Sequence, residues 1–137
     1  MASTLEDYFA DLVDKLYSVS ARAELIGQPT VETDDHETGI LRARIRYEDG
    51  STIQIDMAIT LVDGYPEVKR YSFQFMDPQA HCIFRYDNAP HYPALPLHPE
   101  HVHRGVYEQE SPHRLPSIGQ LSREIDDYLR TRPLTLP

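Results

Sequence analysis

The sequence has little cysteine, no long apolar run and no basic leader. Cys82 is the one cysteine among 137 residues, which excludes an internal disulfide and a zinc site built from cysteines. No apolar stretch approaches the roughly 20 residues of a membrane-spanning helix. The acidic start, MASTLEDYFADL, lacks the basic segment of a signal peptide. We therefore expect a cytoplasmic protein that does not engage membranes, with Cys82 as a buried structural thiol.

The chain also lacks a surplus of positive charge. Its formal net charge is −9 with neutral histidines, which argues against indiscriminate binding to a phosphate backbone. The six glycines are scattered, so no glycine-rich loop is present to cradle phosphate, and no nucleophile elbow occurs. A function on nucleic acid would therefore depend on a local surface and not on overall charge.

Hydrophobic periodicity predicts a helix at each end of one domain that spans residues 1–137. Residues 3–18 carry apolar side chains at helical spacing, and Ser3 with Glu6 fits a capping box. Residues 117–131 repeat this arrangement, with Ser117 and Gln120 as the capping pair. Six of the eleven prolines lie in residues 88–116, which we expect to be an irregular but ordered loop.

Between the first helix and this loop, residues 21–87 alternate between apolar and polar side chains. Residues 21–33 predict a weak edge strand, and the remainder divides into strands at 39–48, 51–62, 67–76 and 80–87. Asp49-Gly50, Asp63-Gly64 and Asp77-Pro78 predict the turns. The fold class is therefore α+β: an antiparallel β-meander of four to five strands, with the N- and C-terminal helices on one face.

The outward face of this meander is rich in arginine. Its candidate residues for binding phosphate or carboxylate are Arg42, Arg44, Arg46, Arg70 and Arg85. A simpler reading is a solvated strand face whose arginines pair with acids such as Asp56.

The stretch RYDNAPHYPALPLHPEHVHRG, residues 85–105, concentrates histidine, and three uses of these histidines fit. In acid–base chemistry, His91 and either His101 or His103 would exchange protons. Asp87 would orient an imidazole, Arg85 and Arg104 would hold phosphate, and Asn88 would cap the loop or bind substrate. In a metal site, the candidate ligands are His98, His101 and His103, although the preferred reading needs no metal or other cofactor. In a structural role, the rings would pack the loop.

The residues of this stretch resemble the TumE family, small proteins of bacterial and archaeal toxin–antitoxin modules. The similarity rests on Arg85-Tyr86-Asp87-Asn88-Ala89-Pro90-His91, followed by Pro93, Leu95, His98, His101 and His103. Residues 71–75 and 83–84 add to it, and the resemblance covers roughly residues 35–105. The chain departs from the family pattern at Tyr92, where a second histidine is usual, and at residues 96–99, where Thr-Phe-Pro usually precedes the next histidines.

The resemblance implies a toxin that is neutralised by a cognate helix-turn-helix antitoxin. Growth inhibition through RNA is the common route for such modules, and it agrees with the chemistry of the histidines. We therefore expect a toxin that acts on RNA as a histidine-dependent, metal-independent ribonuclease. The alternative is a non-catalytic protein- or metal-binding interaction domain. A leftover apolar stripe on either helix could dock the antitoxin or a second copy in a homodimer.

Overall fold

A computed structural model describes residues 5–18, 23–25, 30–34, 37–89, 100–104, 109–112 and 114–131. The elements, in chain order, are α1 (Leu5–Ser18), β1 (Ala23–Leu25), β2 (Thr30–Asp34), β3 (Thr38–Tyr47), β4 (Thr52–Val62), β5 (Tyr65–Met76), β6 (Cys82–Asp87), β7 (His101–Arg104), β8 (Gln109–Pro112) and α2 (Ile118–Thr131). No helix in this part of the chain is long and apolar enough to cross a membrane.

The strands form one antiparallel sheet in the order β1-β3-β4-β5-β6-β7-β8, and β2 pairs with β3 beside β1. The α+β class and the antiparallel meander are confirmed. The described residues contain more strands than the four to five predicted. The weak strand expected at residues 21–33 is two short strands, β1 and β2, on the same partner.

The predicted turns are present, and the side chains of Asp49 and Asp77 accept backbone N–H bonds in two of them. Gly50 and Gly64 have φ angles of 91° and 80°, a region that glycine adopts without steric penalty. At the third turn, the Asp77 carboxylate accepts hydrogen bonds from the backbone N–H groups of Gln79 and His81, both at 2.9 Å. These contacts fix the short connections that keep β3 to β6 adjacent.

The core lies on one face of the sheet, where alternate residues of the long strands are buried. The helices pack on this same face: Leu5 and Phe9 of α1 and Leu121 and Ile125 of α2 are buried in the core cluster. The predicted capping box of α2 is confirmed. The Ser117 N–H donates to Gln120 Oε1 at 2.8 Å, and the Gln120 N–H donates to Ser117 Oγ at 3.1 Å. Ser3, of the box predicted for α1, lies outside the described residues.

Residues 88–116 are not irregular throughout, which corrects the prediction of a loop there. β7 pairs with β6, and β8 pairs with β7. The reason is the alternation in His101-Val102-His103, because Val102 enters the core and is 2% exposed. Cys82, expected to be buried, is only partly buried at the first position of β6.

Candidate functional site

Strand register places two rows of polar side chains across the face of the sheet opposite the helices. Paired residues on neighbouring strands share a face, so each row runs straight across five strands. The first row is Arg42, Asp56, Ser72, Asp87 and His101, and the second is Arg44, Gln54, Gln74, Arg85 and His103. The arginine-rich face predicted from the sequence and two of the predicted histidines therefore belong to one surface.

Three side chains at the β6–β7 end of these rows form a buried cluster: Asp87, His101 and His103. Asp87 lies opposite His101 and Arg85 opposite His103 in the strand pairing. The exposed fractions are 5% for Asp87 and 2% for each histidine. Such burial of polar groups is tolerated only where hydrogen bonds and opposite charges replace water.

The Asp87 carboxylate is the centre of the hydrogen bonds. Its Oδ1 atom lies 2.9 Å from His101 Nε2 and accepts the Ala89 N–H at 3.0 Å. Its Oδ2 atom accepts the Arg85 Nε–H at 2.9 Å and lies 3.4 Å from His103 Nε2. The negative charge is thus compensated by Arg85, whose side chain is 27% exposed and reaches solvent.

The same contacts decide which ring nitrogens carry protons. Arg85 Nη2 lies 3.1 Å from His103 Nε2, and a guanidinium only donates, so this Nε2 presents its lone pair. His101 Nε2 lies 2.9 Å from His103 Nε2 as well as from Asp87. Because both of these neighbours accept, His101 carries its proton on Nε2. The cluster therefore places an imidazole nitrogen that accepts a hydrogen bond beside an imidazole N–H that donates one.

A cleft of about 450 Å³ opens on the polar face next to the buried cluster. This volume is in the usual range for small-ligand sites. The residues that line it are Ile40, Arg42, Asp56, Met57, Ala58, Arg70, Tyr71, Ser72, Gln74, Arg85, Asp87 and Ala89. Neither His101 nor His103 is among them, so Arg85 and Asp87 connect the cleft to the cluster.

The charge of the cleft is positive in an otherwise acidic chain. Arg42 Nε lies 3.4 Å from Asp56 Oδ1, and Arg85 is paired with Asp87. Arg70 is exposed, and within the described ranges it has no ion-pair partner. Three guanidinium groups against two carboxylates leave one net positive charge, which suits an anionic ligand.

Tyr71 is among the residues that line this cleft, but its hydroxyl oxygen is buried. Burial, together with the nearby carboxylates of Glu100 and Asp87, raises the pKa of Tyr71 well above its usual range. Its ring is 3% exposed and belongs to the core, as its inward position in the strand predicts. Sequence reasoning therefore assigned it to packing alone, and no spacing signal linked it to Glu100, which lies 29 positions away.

Several predicted site residues have other positions or partners. Asn88 follows the last residue of β6 and bonds to the middle of β5: its Oδ1 accepts the Tyr71 N–H at 3.0 Å and its Nδ2 donates to the Lys69 carbonyl at 2.9 Å. Arg44 and Arg46 are exposed on the polar face but do not line the cleft.

Arg104 is on the opposite face of the sheet, which corrects its predicted place beside the phosphate. It donates to the Tyr86 hydroxyl at 2.7 Å and pairs with Glu124 of α2. Alternation along β7 causes this, since Arg104 follows His103 directly. His91 and His98 lie outside the described residues.

The buried cluster also has the composition of a metal site. Within the described ranges, Asp87, His101 and His103 each offer one ligand atom, and these three atoms lie within 4.8 Å of one another. Two of the three predicted ligands are thus in the group, with Asp87 beside them. Two imidazoles and a carboxylate are a common ligand set for divalent transition metals.

Comparison with known proteins gives one positive result. No curated protein and no solved structure matches the chain. The family model described as Toxin TumE matches residues 12–132, a span that contains the whole sheet, the buried cluster, all of α2 and the second half of α1. This chain therefore belongs to the TumE toxin family.

Proposed function

We propose that this toxin acts on RNA and cleaves its phosphodiester backbone by acid–base chemistry. The observation that carries the proposal is the pair of histidine Nε2 atoms 2.9 Å apart, one a donor and one an acceptor, beside an arginine-lined cleft. A metal-independent ribonuclease needs these parts: a base, an acid and a cation for the phosphate.

Phosphate binding is assigned to the arginines of the cleft. Arg85 is the anchor, because Asp87 and His103 hold its guanidinium at 2.9 and 3.1 Å and so fix its orientation before a ligand arrives. Arg42 and Arg70 would contact neighbouring phosphates of the bound RNA. Ser72 and Gln74, which also line the cleft, offer hydrogen bonds to sugar or base edges.

In the chemical step, His103 Nε2 would take the proton of a ribose 2′-hydroxyl, whose oxygen then attacks phosphorus. His101 would act from its imidazolium form, which the Asp87 carboxylate at 2.9 Å favours, and would give its Nε2 proton to the departing 5′-oxygen. A 2′,3′-cyclic phosphate, a 5′-hydroxyl and a neutral His101 result. Each residue is only 2% exposed, so this step requires the buried cluster to open when RNA enters. The contribution of His91 stays a prediction.

The family indicates an antitoxin partner. We propose a helix-turn-helix protein in this role, docking on an apolar stripe of α1 or α2, where a second copy could also pair. Action on RNA implies that the toxin works in the cytoplasm.

The test is a short pulse of expression in a bacterium that lacks the antitoxin, with growth and total RNA followed together. His103→Asn is compared with His81→Asn as a matched control, because exposed His81 also contacts a carboxylate, Asp77, at 3.2 Å. We expect growth arrest and discrete RNA fragments from the natural chain and from His81→Asn, and neither from His103→Asn. Purified toxin should cleave the same RNA in the presence of a chelator. Growth arrest with intact RNA would contradict the proposal.

A second candidate is a non-catalytic protein that sequesters its target. It is favoured by the burial of both histidines beneath the cleft. In this case Arg70→Gln would reduce toxicity and RNA binding together, while His103→Asn would leave both unchanged in a chain of native stability.

A further inference from the structure

We propose that Asp87, His101 and His103 bind one divalent transition metal ion of the zinc type, and that occupancy of this site switches the toxin off. The binding part goes beyond the function proposed above. The inhibitory part rests on that function, because it concerns the same histidines and the same arginine.

The spacing of the three side chains fits a single ion. Donor atoms about 2.1 Å from one ion and about 90–109° apart around it are separated by about 3.0–3.4 Å. The two Nε2 atoms are 2.9 Å apart, His101 Nε2 is 2.9 Å from Asp87 Oδ1, and His103 Nε2 is 3.4 Å from Asp87 Oδ2. Both imidazoles turn the same ring nitrogen toward the carboxylate, so small shifts suffice to bring three donors around one point.

The type of metal follows from the ligands. Two imidazole nitrogens and one carboxylate favour borderline ions such as Zn²⁺ over Mg²⁺ or Ca²⁺, which prefer oxygen. The ligands lie on paired strands rather than on a loop, since Asp87 faces His101 across the β6–β7 ladder. A rigid frame of this kind lowers the ordering cost of binding.

Arg85 makes metal binding and phosphate binding compete. Its Nη2 atom lies 3.1 Å from His103 Nε2, so an ion in the cluster would meet a guanidinium at close range. The repulsion would move Arg85 out of its contact with His103, and its side chain, 27% exposed, has solvent on the cleft side to move into. The ion would also take the Nε2 lone pair of His103 and displace the proton from Nε2 of His101, so neither nitrogen could exchange a proton with RNA.

Zinc titration of chelator-stripped toxin tests the binding part, with calorimetry for stoichiometry and a competing chelator for affinity. We expect the natural chain to bind one Zn²⁺. In His103→Asn we expect an affinity about 100-fold lower, because removal of a ligand should cost at least as much as removal of a group that only supports a ligand. His81→Asn should match the natural chain. An unchanged affinity in His103→Asn, with native circular dichroism, would overturn the proposal.

Arg85→Gln gives a sharper test that does not depend on loss of a ligand. Removing the competing cation should tighten zinc binding by about tenfold, because a guanidinium that is partly screened by water and can move toward solvent repels the ion only moderately. A general destabilisation of the cluster would instead weaken zinc binding, and this outcome, or no change, would overturn the competition between zinc and Arg85.

A zinc titration of RNA cleavage separates this inference from the proposed function. If the chain binds one zinc ion but never cleaves RNA, the metal site is supported and the ribonuclease proposal is overturned. If the chain cleaves RNA but binds no zinc, the ribonuclease proposal is supported and the metal site is overturned. Cleavage that continues at saturating zinc would overturn the inhibitory part alone.

Discussion

Replacing Asp87 by asparagine tests the electrostatic logic of the buried cluster. The amide keeps the shape of the side chain and one acceptor oxygen, which can still accept the Ala89 N–H. The other oxygen becomes an NH₂ group that faces the Arg85 Nε–H, now 2.9 Å away as a second donor. The substitution therefore removes one charge-assisted hydrogen bond and leaves a guanidinium poorly paired.

The magnitude follows from the exposure of the pair. A hydrogen bond to a charged group contributes about 1.5–3 kcal/mol, and breaking a fully buried pair costs about 3–5 kcal/mol. Arg85 is 27% exposed, so water can solvate part of the guanidinium after the change. We expect a loss of about 2–3 kcal/mol in the free energy of unfolding, or about 7–10 °C in Tm for a chain of this length.

Urea and thermal unfolding of chelator-treated protein, followed by circular dichroism, measure this loss. Asp56→Asn is the matched control, since Asp56 pairs with exposed Arg42 at 3.4 Å and should change stability by less than about 1 kcal/mol. In Asp87→Asn combined with Arg85→Gln, the loss should be smaller than the sum of the single changes. Equal losses in Asp87→Asn and Asp56→Asn would refute the view that the cluster is buried and paired as described.

Three further predictions concern the cleft, the helix face and a helix end. Arg70→Gln should weaken RNA binding and lower the slope of log affinity against log salt by about one, measured by filter binding against exposed Arg123→Gln as control. Burial, with the hydrogen bond to Glu124, raises the pKa of Tyr86 to about 12. The protonated hydroxyl contributes its full stabilisation below the ordinary tyrosine pKa near 10, and this contribution is lost as pH rises to about 12. Between these pH values the free energy of unfolding should therefore fall more steeply in the natural chain than in Tyr86→Phe. Ser117→Ala should cost about 1 kcal/mol in urea unfolding, because the α2 capping bond at 3.1 Å is lost; an unchanged midpoint would contradict the capping role.

Local patterns were enough to predict the long strands and both helices. Leu41, Ala43 and Ile45 alternate with arginines. Only a strand in one register places all three apolar side chains on the buried face of the sheet. Aspartate and glycine at the turns, and the Ser117–Gln120 pair, act within a few residues and need no tertiary information. These features could therefore be predicted from sequence alone.

Pairings between distant segments could not be predicted in this way. β7 has four residues, too few for a convincing period, and its neighbours in sequence are rich in proline. The histidine spacing was nevertheless informative, because residues 101 and 103 share a face only in an extended strand. Once that is recognised, alternation also places Arg104 on the other face of the sheet, where it contacts Tyr86.

The arrangement of β6 and β7 decides how loss of activity in any variant must be interpreted. Phe84, Tyr86 and Val102 anchor these strands in the core, while Arg85, Asp87 and the two histidines alternate with them on the other face. The strands that hold the site thus also contribute side chains to the core. A substitution that leaves a cavity or an unpaired charge on one face of these strands therefore displaces side chains on the opposite face. A histidine variant that loses both RNA cleavage and stability therefore says little about chemistry. Substitutions that keep shape and hydrogen bonding, compared at equal stability, separate proton transfer from structural support.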